Sequence, residues 1–127
     1  MSNKLIKGER LKSLRAFSSI FESGKTFKDF PVRMVFLPWK TESGLTQTGF
    51  SVSKKRFKNA VDRNRIKRQM REAFRTSKTS FLTELQQTYA IVFIYLSNQH
   101  SDYATINNSI TKCLAHLKAF DEANNED

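Results

Sequence analysis

Cysteine, proline and glycine are all scarce in this chain. One Cys, two Pro and four Gly occur among its 127 residues. A single cysteine, Cys113, excludes an internal disulfide framework and indicates a reducing compartment, so we expect a cytoplasmic protein. Few prolines and glycines leave little room for linkers, and a chain of this length builds one core. We expect a single domain over residues 1–127, with flexible ends near 1–8 and 121–127.

Long apolar runs are missing as well. Charged residues make up 27% of the chain, and no apolar run approaches the roughly 20 residues that span a bilayer. Residues 1–10 carry charge but lack the apolar segment of a secretory signal. These absences argue against a membrane-spanning or exported protein, and we expect no membrane partner.

Groups that carry enzymatic chemistry are few. His100 and His116 lie far apart, without a Cys or acidic partner at metal-ligand spacing. The glycine-rich nucleotide, P-loop, serine-hydrolase and zinc-protease motifs are absent, and acidic residues are rare where basic ones are dense. We therefore expect no catalytic residue, and the sequence assigns no metal ligand.

Positive charge is abundant and concentrated. Lys and Arg number 22 against 12 Asp and Glu, a net charge of +10. Residues 51–75 alone hold ten basic and two acidic side chains, a net charge of +8. Such density repels itself unless a polyanion neutralises it, which favours nucleic acid as the partner. An anionic membrane surface is the competing partner, but a helix lying on a membrane needs a free apolar face.

One predicted helix carries this charge. Placed on a helix at 100° per residue, four residues gather on one apolar side: Ile66, Met70, Ala73 and Phe74. Four residues line up on the opposite side: Asn64, Arg68, Arg71 and Arg75. A solvated helix would mix charge signs at i, i+4 spacing, whereas this one stacks like charges, so a polyanion partner is favoured. The planar fork of arginine also suits bidentate phosphate contact.

Hydrophobic periodicity predicts the order αβββαβα. The predicted elements are a helix near 13–23, strands near 25–30, 32–37 and 48–53, the basic helix near 59–77, a strand over 89–96, and a last helix with apolar positions from 103 to 117. Residues 78–88 are polar, and we expect only a helical turn there. This order indicates an α+β fold with one four-stranded sheet.

Two aromatic residues of the first helix have two explanations. Phe17 and Phe21 are four residues apart, and core packing is the default reason for such a pair. The cations Lys12 and Arg15 beside them also favour a stacking platform for single-stranded nucleic acid. We expect one ring to be exposed and one to be buried. Two sheet aromatics are further candidates for stacking: Phe36 and Phe50.

The basic helix and its surroundings resemble a known family. The motif Arg63-Asn64-Arg65 continues into Lys67-Arg68 and Arg71, and residues 49–55 before it read GFSVSKK. Together with Arg10-Leu11-Lys12 and the two helix-one phenylalanines, these segments are similar to the protein subunit of bacterial ribonuclease P. One departure is that residues 56–59 stand where many members have a glycine.

The resemblance implies both a fold and a division of labour. The fold would contain an unusual left-handed βαβ crossover that holds the basic helix, against the general right-handed rule. A large catalytic RNA would use Mg²⁺ to hydrolyse the 5′ leader from precursor tRNA. This chain would be the protein subunit of that endoribonuclease, one protein per RNA, binding the catalytic RNA and the single-stranded leader. No DNA partner is expected.

The resemblance also assigns residues to the two RNA contacts. Six residues would face the catalytic RNA: Arg63, Asn64, Arg65, Lys67, Arg68 and Arg71. We add four cations around them to the same surface: Lys54, Lys55, Arg56 and Arg75. The expected leader-binding group is Lys12, Arg15, Phe17, Phe21, Phe36 and Phe50. Because leaders differ in sequence, stacking and phosphate neutralisation would provide a contact that tolerates any base.

Three other functions stay open at this point. A ribosomal protein would share the charge and the α+β layering. A helix-turn-helix DNA reader needs two short helices and a tight turn, but residues 46–53 are strand-like. A nuclease acting alone would need a carboxylate or histidine constellation, and none can be assembled from this sequence.

Overall fold

Seven elements follow one another in the predicted order αβββαβα. The computed structural model describes residues 9–41, 43–83 and 85–124, apart from the side chain of Leu14. The elements are α1 (Leu14–Ser23), β1 (Lys25–Asp29), β2 (Val32–Pro38), β3 (Gln47–Ser51), α2 (Ala60–Leu82), β4 (Tyr89–Tyr95) and α3 (Tyr103–Ala123). The α+β class is therefore confirmed. Across the described ranges, none of the helices combines the length and apolar character that a membrane crossing requires.

The four strands form one mixed sheet in the order β1-β2-β4-β3. β1, β2 and β4 pair antiparallel, whereas β3 pairs parallel with β4, placing Phe50 beside Phe93. A parallel pair needs a crossover connection, and α2 is that connection. The hand of this crossover stays a prediction from the resemblance. A strand precedes α2 where a helix-turn-helix would have a short helix, so that alternative is excluded.

One face of the sheet is covered by α2 and α3. Alternate residues of β2 and β4 point into this side, and the largest core cluster joins them to both helices. Four residues of α2 are buried there: Ile66, Met70, Ala73 and Phe74. The predicted apolar side of the basic helix is therefore confirmed. β4 is buried on both faces, as its continuous apolar run indicates.

The other face of the sheet is covered by α1. Ala16 and Ile20 pack with Val35, Ala90 and Val92 in a second core cluster. The Oγ of Ser13 accepts a hydrogen bond from the backbone nitrogen of Ala16 at 3.2 Å and caps the helix. Gly24 is the C-cap, and its backbone nitrogen donates to the carbonyl oxygen of Ile20 at 2.8 Å. A side chain does not fit there, because a Cβ would lie 2.3 Å from that oxygen. We call this side of the sheet the α1 face.

Two helices extend further than the sequence predicts. α2 reaches Leu82 instead of ending near residue 77, because Lys78 pairs with Glu9 and Leu82 packs against the core. The Lys78 Nζ lies 2.8 Å from Oε1 of Glu9, and both side chains are largely buried. A contact 69 residues away in sequence therefore holds the last turn of α2.

The prediction of a flexible end from residue 121 onward is wrong for residues 121–124, which the structure describes. Asp121 is only 1% exposed and belongs to α3. Its carboxylate accepts hydrogen bonds from the Tyr89 hydroxyl and the Gln86 backbone nitrogen, both at 2.8 Å. Burial and this carboxylate raise the pKa of Tyr89. The remaining expected ends, residues 1–8 and 125–127, lie outside the described residues.

Candidate nucleic-acid interface

Four exposed polar residues form a continuous band along α2. We call them the α2 cationic stripe: Asn64, Arg65, Arg68 and Arg71. The helix places this stripe opposite its four buried residues, so packing and charge occupy separate sides. Within the described ranges no acidic side chain forms an ion pair with these arginines. Their charge is therefore available to an external anion.

The two acidic residues of the basic segment are already engaged. Glu72 forms an ion pair with Arg75 one turn along α2. Hydrogen bonding to Arg75 lowers the pKa of Glu72, so the carboxylate stays charged. Asp62 points to His100, whose Nε2 lies 3.3 Å from the Asp62 Oδ1. Arg75 is thus partly neutralised within the protein, and it is a weaker candidate for RNA contact than the stripe.

The segment that leads into α2 is held by Arg63. Its Nη1 donates hydrogen bonds of 2.8 Å to the carbonyl oxygens of Phe57 and Lys58. The N-cap residue Asn59 makes no side-chain capping hydrogen bond. Arg63 is half-buried and ties α2 to the segment that precedes it. Its hydrogen bonds in this structure are with the backbone of that segment.

Residues 56–59, where the sequence departs from the family pattern, are anchored by an aromatic ring. Phe57 is 8% exposed and lies beside His100, with ring centroids 5.0 Å apart. Arg56 donates from Nη1 to the Asn98 Oδ1 at 3.0 Å. Lys54 and Lys55, which precede this segment, are exposed.

Helix α1 presents its two phenylalanines differently. Phe21 is 60% exposed, whereas Phe17 is half-buried and packs against the α1-face core. The Phe17 ring lies against Gly49 of β3, where a Cβ would lie 3.5 Å from the Phe17 Cζ, an ordinary van der Waals contact. The cations Lys12 and Arg15 are exposed on the same helix and the segment before it. Phe21 is thus the exposed ring that we expected, while Phe17 is half-buried where a buried ring was expected.

The two sheet aromatics do not belong to the α1 face, and the expectation for Phe36 is wrong. Phe36 is fully buried, with its ring edge-on to Phe120 at a centroid distance of 5.1 Å, so no ligand reaches it. Phe50 is partly buried on the α2 side, 5.9 Å from the Phe74 ring. The Arg71 guanidinium carbon lies 5.6 Å from the Phe50 centroid, a cation–π contact. Phe50 therefore supports the α2 cationic stripe.

A cationic cavity beside α1 was missed by the sequence reasoning. Its volume is about 550 Å³, and eight of the described residues line it: Arg10, Lys12, Ser13, Arg15, Trp39, Lys40, Thr41 and Gln47. The signal that could have found it is the only tryptophan of the chain standing directly before a lysine. Sequence spacing could not have predicted that Trp39 and Lys40 lie beside α1. Residues 12 and 39 are distant in sequence, and only the tertiary fold brings them together.

In the described ranges, the reactive side chains are not arranged as a catalytic site. Cys113 is fully buried, and burial raises the pKa of its thiol to about 12, with the Asp29 carboxylate adding to the effect. Within the described part of the chain, no three His, Cys, Asp or Glu side chains come together as a metal site. The fold and site define a small basic α+β protein with an exposed cationic helix, a surface that suits binding of a polyanion.

Comparison with known proteins narrows this class to a family. A family model described as Ribonuclease P matches residues 5–118. The ribonuclease P protein component of Porphyromonas gingivalis is 37% identical over 117 residues, covering 89% of this chain and 85% of that protein. The component of Caldanaerobacter subterraneus subsp. tengcongensis is 34% identical over 125 residues, covering 96% and 97%.

Solved structures agree with the sequence comparison. The RNase P protein of Staphylococcus aureus superposes with a TM-score of 0.71 at 30% identity, over 90% of this chain and 99% of that one. The RNase P protein of Thermotoga maritima gives a TM-score of 0.70 at 26% identity, over 85% and 96%. The chain belongs to the ribonuclease P protein family, the protein component of an endoribonuclease that acts in tRNA 5′ processing.

Proposed function

We propose that this chain is the RNA-binding subunit of ribonuclease P in the cytoplasm, and that it binds two RNAs with two sides of the sheet. The α2 side would contact the catalytic RNA of the enzyme. The α1 face would contact the single-stranded 5′ leader of precursor tRNA. The observation that carries the proposal is the α2 cationic stripe, exposed and without an acidic partner in the described ranges.

Contact with the catalytic RNA follows from the electrostatics of α2. Arginines that approach phosphates release the counterions condensed on RNA, which provides affinity without reading sequence. Lys54, Lys55 and Lys67 widen the same surface. Asn64 adds a donor and an acceptor that suit a base edge or a 2′-hydroxyl. Arg63 and Arg56 would support this contact by fixing the segment that leads into α2.

Contact with the leader follows from the side chains of α1. Phe21 offers an exposed ring for base stacking, and Lys12 and Arg15 offer positive charge for the flanking phosphates. This combination accepts any base, as a contact with many different precursors requires. Phe17 would stiffen the platform from beneath by packing between α1 and Gly49.

Hydrolysis itself would be the task of the RNA. We propose that the Mg²⁺ ions required for the reaction are held by the catalytic RNA, as the family resemblance implies. The protein residues then have three roles: neutralising phosphates, stacking on leader bases and keeping the two RNAs in register. By neutralising phosphates, one protein per RNA would lower the Mg²⁺ concentration that the RNA needs.

Reconstitution of cleavage tests the proposal. Precursor tRNA is incubated with the matching catalytic RNA at low and high Mg²⁺ concentration, with and without this protein. We expect the protein to accelerate release of the leader strongly at low Mg²⁺ and weakly at high Mg²⁺. Acceleration should reach its maximum at one protein per RNA. Equal rates with and without the protein at both Mg²⁺ concentrations would contradict the proposed role.

A further inference from the structure

The cavity between α1 and the end of β2 has the size and lining of a ligand site. Its volume of about 550 Å³ lies within the range of roughly 300–1,000 Å³ that is common for small-molecule and cofactor sites. The segment before α1 and its first turn form one wall. The other wall is formed by Trp39, Lys40 and Thr41, which follow β2, and by Gln47 at the start of β3.

The charge of this cavity is of one sign. Four of the eight lining residues are cations: Arg10, Lys12, Arg15 and Lys40. All four are exposed, and none of the lining residues that the structure describes is acidic. In the described ranges none of the four takes part in an ion pair. Four unneutralised cations around one cavity favour an anionic ligand, and arginine in particular favours phosphate.

Trp39 lines this cavity, and its backbone is held on both sides. Its backbone nitrogen donates to the carbonyl oxygen of Thr88 at 3.0 Å, and the Thr88 hydroxyl donates back to the Trp39 carbonyl at 2.6 Å. The side chain is half-buried and packs at the margin of the α1-face core. An aromatic ring that is already immobilised loses little entropy when a ligand stacks on it.

We propose that this cavity is a stacking site for one unpaired nucleotide of single-stranded RNA. The base would stack on Trp39, and the four cations would hold the phosphates on either side of it. Because Trp39 and Phe17 pack against the same α1-face core, the site would extend the leader contact along that face. The inference rests on the proposed function for the identity of the RNA, while its stacking chemistry can be tested by itself.

The chain contains a built-in reporter for this site, because Trp39 is its only tryptophan. The full chain is titrated with a short single-stranded oligouridylate and, separately, with an abasic oligomer of equal length and charge. We expect quenching of Trp39 fluorescence by the oligouridylate but not by the abasic oligomer. Quenching should also occur with leader-bearing precursor tRNA and not with mature tRNA.

Variants separate stacking from charge. Trp39→Ala should weaken oligouridylate binding by about 5- to 150-fold, the range expected for loss of one base–aromatic stack, and Trp39→Phe should retain most of the affinity. Phe30→Ala is the matched control, because Phe30 is an exposed aromatic at the opposite end of β2 and should leave binding unchanged. Binding is compared only among variants that melt cooperatively, and Trp39→Phe preserves the packing. A loss of binding therefore cannot be due to loss of folding.

The outcomes separate this inference from the proposed function. Binding of oligouridylate without quenching, or equal quenching by the abasic oligomer, would overturn the stacking site. If the protein accelerates precursor-tRNA cleavage while Trp39 is not quenched, the ribonuclease P role stands and the inference fails. Quenching without any acceleration of cleavage would support the stacking site and contradict the ribonuclease P role.

Discussion

At the scale of single residues, the partner of each arginine determines what it can do. Arg63 is occupied by two backbone carbonyls, and Arg75 is occupied by Glu72. Arg65 and Arg68 lie on the same helix, exposed and without an acidic partner in the described ranges. Four arginines that look equivalent in sequence therefore divide into two that are engaged within the protein and two that are available to a polyanion.

Exposure separates the roles of Phe21 and Phe17 and leads to a first prediction. Phe21→Ala should weaken binding of leader-bearing precursor tRNA by about 1–3 kcal/mol and leave mature tRNA binding unchanged, because only the leader offers unpaired bases. Phe17→Ala should instead lower the free energy of unfolding, by less than the about 3–5 kcal/mol typical of a fully buried Phe. The measurements are melting temperature and the precursor-to-mature affinity ratio. An unchanged ratio in both variants would exclude α1 from the leader contact.

The buried thiol of Cys113 gives a prediction for alkaline pH. Its pKa is raised to about 12 in the folded chain, while an unfolded cysteine titrates near about 8.5. The folded state therefore keeps a proton that the unfolded state releases, so stability is full below about pH 8.5 and falls as the pH rises towards 12. Between pH 7 and pH 10 the wild type should lose about 2 kcal/mol more than Cys113→Ala. Urea unfolding at both pH values measures this, and equal losses in the two proteins would contradict it.

At the scale of elements, α2 combines two functions on opposite sides of one helix. Its buried residues hold it to the sheet, and its cationic stripe points away from the sheet. Because a helix turns about 100° per residue, substitutions on one side leave the other side in place. The two sides can therefore be tested separately.

Removal of two stripe arginines should affect binding and spare folding. If about six phosphates are neutralised, log K falls with log salt at a slope of about −4 to −5.5, and the double variant Arg65→Ala, Arg68→Ala should flatten that slope by roughly 1.4 to 1.8. The measurement is binding to the catalytic RNA over a salt series. The control is Lys25→Ala with Lys28→Ala, which removes equal charge from β1 at the far edge of the sheet. Equal slopes for wild type and the arginine variant would place both arginines outside the interface.

A charge on the apolar side of α2 should unfold the protein. Ile66 is fully buried, so Ile66→Asp places a carboxylate in the core at a cost of several kcal/mol, against a typical stability of about 5–15 kcal/mol. Val61→Asp is the matched control, because Val61 lies on the same helix with 79% of its side chain exposed. Thermal melts of both variants measure the difference. A wild-type melting temperature for Ile66→Asp would contradict the orientation of α2.

At the scale of the whole molecule, the sheet separates the two sides that we propose to bind RNA. The α2 cationic stripe lies outside one face, and the aromatic and cationic residues of α1 lie on the other. A protein built in this way can contact two RNA segments at once, and such a bivalent contact gains affinity through high effective concentration. The fold therefore suits a subunit that positions one RNA against another.

The protein alone should cleave nothing. The described part of the chain brings together no cluster of His, Cys, Asp and Glu that could hold a metal, and its thiol is buried and protonated at neutral pH. Precursor tRNA incubated with the protein and Mg²⁺, but without the catalytic RNA, should remain intact under nuclease-free conditions. The control is the same mixture with the catalytic RNA added. Mature 5′ ends in the mixture without catalytic RNA would assign catalysis to this chain.

Local patterns in the sequence determined most of the architecture. The element order, the buried side of α2 and the limits of α1 near residues 13 and 23 were predicted correctly. The predicted charged side of α2 was correct for Asn64, Arg68 and Arg71 but not for Arg75, which is half-buried and paired with Glu72. Each depends on residues within a few positions of one another, where helical and strand periodicity act directly. The family was recognised for the same reason, since its motif lies on one continuous segment.

Only the tertiary structure decided the contacts between distant segments. Strand alternation allows Phe36 to lie on either face, and the packing of Phe120 against it places it in the core. The last turns of α2 and α3 exist because Glu9 reaches Lys78 and Asp121 reaches Tyr89. The Trp39 cavity likewise requires two segments that are far apart in sequence. Such pairings depend on how elements pack together, which is a property of the folded chain and not of any short stretch of it.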